Sequence, residues 1–191
     1  SYAMAANLST DFGEGILKET GNDLDVAIKG QGFLVVQTPQ LEQQLTRNGA
    51  MQLTPEGLLV DPAGNPIIGD GGPILIPPYE RLTIGIDGTI TIQPAGANVN
   101  ETAIVAQLML VKPDTAQITR EPNGYFVTPD GLPDADPTVE VIGGMLEGSN
   151  VNVVREFTKI LSLGRQYELQ VKMMKESHDQ SEKAARLLQL S

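Results

Sequence analysis

The chain has 191 residues and a formal net charge of −11, with no cysteine, no tryptophan and aromatic residues at only 4%. That charge argues against nucleic acid, whose phosphates need Lys and Arg to neutralise them, and equally against an anionic membrane surface. The missing cysteines exclude disulfides, iron–sulfur clusters and thiol catalysis, and the scarce aromatics leave little surface for stacking on sugars or bases.

Hydrophobic residues make up 40% of the chain, so an aliphatic core is expected. No run of about 18 apolar residues occurs, and no membrane-crossing helix is expected. The N-terminus lacks the basic region and apolar core of a signal peptide. Ser1-Tyr2-Ala3-Met4 reads as a cloning scar, and the loop-like start leads us to expect a fragment whose N-terminal helix has been removed.

From residue 5 to 22 the chain reads as extended with turns. Leu24-Asp25-Val26-Ala27-Ile28 then alternates as a strand, Gly30-Gln31-Gly32 is expected to be a hairpin turn, and Phe33 to Val36 continues as the return strand. Leu45 to Arg47 is a short strand ending at Asn48-Gly49. Met51 and Leu53 face Leu58 to Val60 across Pro55-Glu56-Gly57. Ile67-Ile68 and Ile74 to Ile76 bracket Gly69 to Gly72. Leu82, Ile84 and Ile86 alternate toward Asp87-Gly88, a two-residue hairpin loop, and Ile90 and Ile92 alternate back. Ala103 to Val111 reads as one long strand, with Ile104, Ala106, Leu108 and Leu110 on its buried face. Ile118 to Arg120 and Tyr125 to Val127 flank Pro122-Asn123-Gly124. Val139 to Leu146 is the last strand. The fold class is therefore mainly β: a complex body of short hairpin strands over residues 5–147, with an extended N-terminal segment.

Residues 148–191 differ. No proline or turn cluster interrupts them after Gly148-Ser149-Asn150, and a helix of roughly 60 Å is expected at 1.5 Å per residue. Val153, Phe157, Ile160, Gly164, Tyr167, Val171 and Met174, then Ala185 and Leu188, step by three and four, the heptad spacing of a coiled-coil seam with His178 and Ser181 as polar interruptions. Such a stripe needs a partner helix.

Catalytic chemistry is poorly provided for. The only histidine lies on that seam, where a register-setting role outweighs ligation. No zinc site of ordinary composition, and no serine triad with a pocket, is available. Asp130, Asp134 and Asp136 do not have calcium-loop spacing and read as a solvated loop. Gly30-Gln31-Gly32 has no third glycine and opens no helix, so it is not a dinucleotide site. No catalytic residue, metal site, cofactor or small-molecule substrate is expected. An enzyme of the glycosidase type would need two carboxylates roughly 5–9.5 Å apart across a cleft.

Four ordered blocks carry a family likeness. Thr20-Gly21-Asn22-Asp23-Leu24-Asp25-Val26-Ala27-Ile28-Lys29-Gly30-Gln31-Gly32-Phe33 resembles the TGNxLDVAIxGxGFF block of the flagellar rod and hook proteins. Thr46-Arg47-Asn48-Gly49-Ala50 with Gly57-Leu58-Leu59-Val60 is similar to the TRxGxF…GxLV segment. Leu146-Glu147-Gly148-Ser149-Asn150-Val151-Asn152 is similar to LExSNVN, and Arg165-Gln166-Tyr167-Glu168 to RxYE. Leu34 and Met51 stand where the family usually has aromatics. The helix resembles the proximal-rod branch more than the distal one. The resemblance implies a structural subunit of the bacterial flagellar basal-body rod in the periplasmic space, exported through the flagellar export apparatus. Its partners would be other rod subunits and copies of itself, with terminal helices paired in an inner coiled-coil shell that transmits torque. The competing reading is a β-rich extracellular adhesin module on a coiled-coil stalk.

Overall fold

The computed structural model describes residues 13–96, 101–129, 131–150 and 153–188, and within the helix it describes the side chains of Arg155 and of residues 157–175. The chain divides into two compact units, Ser1–Asn150 and Val151–Ser191. The described part of the first is all β. Its strands, in chain order, are β1 (Leu17–Glu19), β2 (Val26–Lys29), β3 (Phe33–Gln37), β4 (Gln43–Thr46), β5 (Gln52–Leu53), β6 (Leu59–Val60), β7 (Ile68–Gly69) and β8 (Gly72–Pro73). The second half adds β9 (Tyr79–Ile84), β10 (Thr89–Pro94), β11 (Ala103–Gln107), β12 (Leu110–Val111), β13 (Thr119–Arg120), β14 (Phe126–Val127), β15 (Glu140–Gly143) and β16 (Met145–Glu147).

Every strand pairing is antiparallel. A five-stranded sheet runs β12-β3-β4-β14-β13 and a three-stranded one β11-β10-β9; β1-β16, β2-β15, β5-β6 and β7-β8 are two-stranded. The main core is aliphatic, as the composition requires: Val26, Ile28, Leu34, Leu59, Ile67 and Ile90 are among its buried members. A smaller cluster gathers around Phe33, which meets Phe126 edge-to-face at 5.5 Å between ring centres.

Two hairpins match their turn residues, β5-β6 around Pro55-Glu56-Gly57 and β13-β14 around Pro122-Asn123-Gly124. Four expectations need correction. Gly30-Gln31-Gly32 does not close a hairpin, because β2 pairs with β15 while β3 pairs with β4 and β12. The β9-β10 loop has three residues: Gly85 N–H donates to Thr89 O at 2.8 Å, and Gly88 sits at φ +81°, the left-handed residue of a bulged three-residue turn. Ile86 is therefore a loop residue, 58% exposed. The long strand from Ala103 to Val111 is two strands in different sheets. Leu108 N–H donates to Gly88 O and Met109 N–H to Ile68 O, which breaks the run, and Ile104 is exposed instead of buried. The last strand likewise divides at Gly144, at φ +72°, so that β15 pairs with β2 and β16 with β1.

The second unit is one helix, α1 (Val153–Leu188). It is described from Val153; before it, Gly148 N–H donates to Ile16 O at 2.9 Å and Asn150 Nδ2 donates to Gly13 O at 3.1 Å, so Gly148 and Asn150 are tied to the β body.

A buried polar group pins two loops of the body together. Asp61 is 3% exposed and Asn65 7%. Asp61 Oδ1 accepts Asn65 N–H at 2.8 Å, and its Oδ2 accepts the Tyr125 hydroxyl, which in turn accepts Asn65 Nδ2 at 2.7 Å. Burial first, and then the Asp61 carboxylate, push the Tyr125 phenol up to about 12. A phenol raised on folding stabilises the fold fully below its ordinary pKa of about 10, and that contribution is lost as pH rises through the folded value. Stability is therefore expected to fall between about pH 10 and 12, and the fall should be smaller in Tyr125→Phe. Phenolate absorbance and chemical unfolding followed against pH check this. An unchanged alkaline slope in the variant would remove Tyr125 as its cause.

Candidate functional site

Residues of three family-like blocks, 20–33, 46–50 and 146–150, meet around a root, the β1-β16 pair; the fourth block, 165–168, lies in α1. β1 runs antiparallel to β16, Leu17 opposite Glu147 and Glu19 opposite Met145. Gly13 and Asn150 thus lie side by side, joined by the Asn150 Nδ2–Gly13 O hydrogen bond. Glu147 is the centre of the root. Its Oε1 accepts Gly15 N–H at 2.8 Å and its Oε2 accepts Arg47 Nε at 2.9 Å; Arg47 Nη2 lies 2.8 Å from Oε2 as an ion-pair contact and is buried without a hydrogen bond of its own. Arg47 Nη1 donates to Gly30 O at 3.0 Å and Gly32 O at 3.2 Å, and its guanidinium lies over the Phe33 ring at 5.9 Å. The two side chains are only 15% and 10% exposed, so the pair is largely shielded from water and salt.

Packing here explains two block glycines, Gly32 and Gly49, and also Gly15 outside the blocks. A Cβ at Gly15 would stand 1.8 Å from Gly148 O, one at Gly49 would stand 1.9 Å from Val26 O, and one at Gly32 would press on Val139 at 2.4 Å. The rest of the first block braces the same region. Gly21 adopts φ +70°, Thr20 N–H donates to Gly144 O at 2.9 Å, and Gly144 N–H donates to Asp25 O at 2.7 Å. Asp25 is buried and accepts Asn22 Nδ2 at 3.0 Å; Ala27 is fully buried and Leu24 half-buried. Ser149 and Asn150 are exposed, and Val151 lies outside the described residues. Arg47 and Glu147 belong to quoted blocks yet were not singled out among the candidate residues. The available signal was their opposite charge in two separate blocks.

The helix, taken by itself, carries a second group of candidate residues. Phe157, Ile160, Tyr167, Val171 and Met174 are between 41% and 68% exposed, and Gly164 has open space where a Cβ would stand. The exposed apolar surface is wider than a narrow seam. Leu161 and Leu163 flank it, and Leu169 and Met173 lie on the opposite side at 100° per residue. A helix apolar on several sides suits burial among more than one neighbour. Arg165 and Glu168 are exposed. The side chains of Val153, His178, Ser181, Ala185 and Leu188 lie outside the described ones, as does Asp130.

No group of three or more His, Cys, Asp or Glu suited to a metal ion occurs among the described residues. Among the described residues no helix is long and apolar enough to cross a membrane. The arrangement offers packing surface and a braced root.

Residues 142–187 match the family model described as the flagellar basal body rod FlgEFG protein C-terminal region, and residues 27–92 match the flagellar hook protein FlgE/F/G D1 domain. The chain is 36% identical over 194 residues to the flagellar basal-body rod protein FlgF of Escherichia coli (strain K12), covering 98% of this chain and 77% of the relative. It is 35% identical over 192 residues to FlgF of Caulobacter vibrioides, covering 98% and 74%. It is also 31% identical over 188 residues to the rod protein FlgG of Buchnera aphidicola subsp. Schizaphis graminum, covering 92% and 69%.

Proposed function

Because this chain belongs to the flagellar basal-body rod protein family, we propose that it works by packing its long helix among the helices of neighbouring rod subunits and copies of itself, so that the rod transmits torque for swimming. It is a structural subunit of the basal-body rod and not an enzyme. The observation that carries the packing mechanism is the exposed apolar surface of α1, from Phe157 to Met174, on a helix that cannot bury it alone. Coiled-coil pairing would use Val153, Phe157, Ile160, Gly164, Tyr167, Val171, Met174 and Leu188, with Gly164 allowing close approach. The FlgF-like assignment rests on the Arg165-to-Lys172 pattern and on the FlgF relatives. Passage through the flagellar export apparatus belongs to the same reading, as do the bounds of a β body to residue 147 and a helical element from residue 148. The adhesin reading draws no support from the relatives described above, which are rod proteins.

The chain has no cysteine, which makes a clean test possible. Tyr167→Cys, introduced into the full chain in a motile strain, is expected to react with a maleimide about tenfold or more slowly in isolated basal bodies than in the free chain. Equal rates in both would overturn helix packing at this face.

A further inference from the structure

The three-stranded sheet ends in an open edge. Among the described residues β11 has one strand partner, β10. Its other side is engaged at one end, where Asp70 N–H donates to Gln107 O at 3.2 Å, and from Ala106 back to Ile104 it borders a groove of about 490 Å³ lined also by Gly69–Leu75. Ile104 is 73% exposed and Leu75 61%. Proteins usually blunt such an edge with lysine, proline or a covering element, because unpaired N–H and C=O groups on an apolar strand recruit another strand. Ala103-Ile104-Val105-Ala106 carries neither charge nor proline.

The groove is also one-sided in charge. Asp70 and Gln107 line both it and an adjoining cavity of about 250 Å³, where Asp87 and Asp136 stand. No lysine or arginine lines either cavity among the described residues. A second copy offering the same edge would bring its own carboxylates against these, and like charges set opposite each other destabilise a strand pair. A cationic strand meets both the open backbone and the carboxylates.

We propose that β11 takes an extended, lysine- or arginine-bearing segment of a neighbouring rod component as an added β-strand, with apolar side chains on Leu75 and Ile104 and cations toward Asp70 and Asp87. This is β-augmentation, in which the backbone supplies affinity and alternate side chains supply selection. The source of the strand rests on membership of the rod, whereas the edge itself is read from the chain alone.

The test is a titration of the isotope-labelled chain with three acetylated octapeptides: alternating Lys-Val, alternating Glu-Val and alternating Lys-Pro. The Lys-Val peptide is expected to give saturable amide shifts confined to residues 69–75 and 103–107, with slowed exchange at 103–106. Its affinity should exceed that of the other two by about tenfold or more and weaken as salt is raised. Ile104→Lys should abolish the binding and leave shifts elsewhere unchanged. The Lys-Pro peptide carries the same charge but lacks the proline N–H groups a ladder needs, so equal binding by it would overturn the proposal. Sedimentation showing a dimer that Ile104→Lys removes would overturn it in favour of a second copy. No binding by the Lys-Val peptide would overturn it outright. Failure here leaves rod membership standing, because the peptides read the edge without an assembled rod.

Discussion

Glu147→Ala is expected to lower the stability of the β body by about 3 kcal/mol, which is large against a total of about 5–15 kcal/mol for a typical domain. The substitution removes the acceptor for Gly15 N–H and for Arg47 Nε, and it leaves a guanidinium that is only 15% exposed without its counter-charge. Breaking such a pair from one side costs more than the pair itself contributes, because desolvation of the remaining charge is no longer offset. Removing both partners, as in Arg47→Met with Glu147→Met, should therefore cost less than Glu147→Ala alone. Urea unfolding of the single and double variants measures the coupling. The first signs should appear at the root, as faster amide exchange at Gly15 and Gly148. A Glu147→Ala variant as stable as the parent chain would show that the pair does not hold the two tails.

Val171→Asp is expected to prevent rod assembly and swimming while leaving the β body folded. Val171 is 41% exposed in the isolated chain and belongs to the face that carries Phe157, Ile160, Tyr167 and Met174. A carboxylate there costs little while the helix is in water. Buried between helices without a partner it costs several kcal/mol, repeated at every copy in the rod. The measurement is complementation of a deletion strain, scored by swimming and by electron microscopy of basal bodies, together with circular dichroism of the purified variant. Normal rods in the variant strain would remove this face from the interface. Loss of the β signal would show instead that the substitution acts on folding.

The division between a β body and a terminal helix was legible because it depends on local pattern. Turn residues at Pro55-Glu56-Gly57 and Pro122-Asn123-Gly124 separate short apolar runs, and a proline-free run of apolar and charged residues follows. Choices made by distant parts of the chain were not legible. The run from Ala103 to Val111 alternates like one strand, but Gly88 and Ile68 claim Leu108 and Met109 and divide it. Gly30 and Gly32 resemble a hairpin turn, but their carbonyls accept Arg47, and the strands on either side find partners elsewhere. The Arg47–Glu147 contact joins residues a hundred positions apart, which no local spacing encodes. The helix itself was legible from its proline-free run; the apolar residues off the heptad period, Leu169 and Met173, show that the exposed surface is broader than a heptad seam describes.

The paired tails at the root have a mechanical consequence. A domain attached by one strand can swivel, because rotation about single backbone bonds is soft while only the peptide bond is stiff. Here the incoming and outgoing segments are cross-linked from Asn150–Gly13 to Glu19–Met145. Twisting that paired ribbon stretches or breaks several hydrogen bonds together. The root behaves as a flat ribbon rather than a cord, compliant to bending across its face but stiff to twisting about its length. Its torsional stiffness resides in β1, β16 and the Glu147 carboxylate that joins them to Arg47.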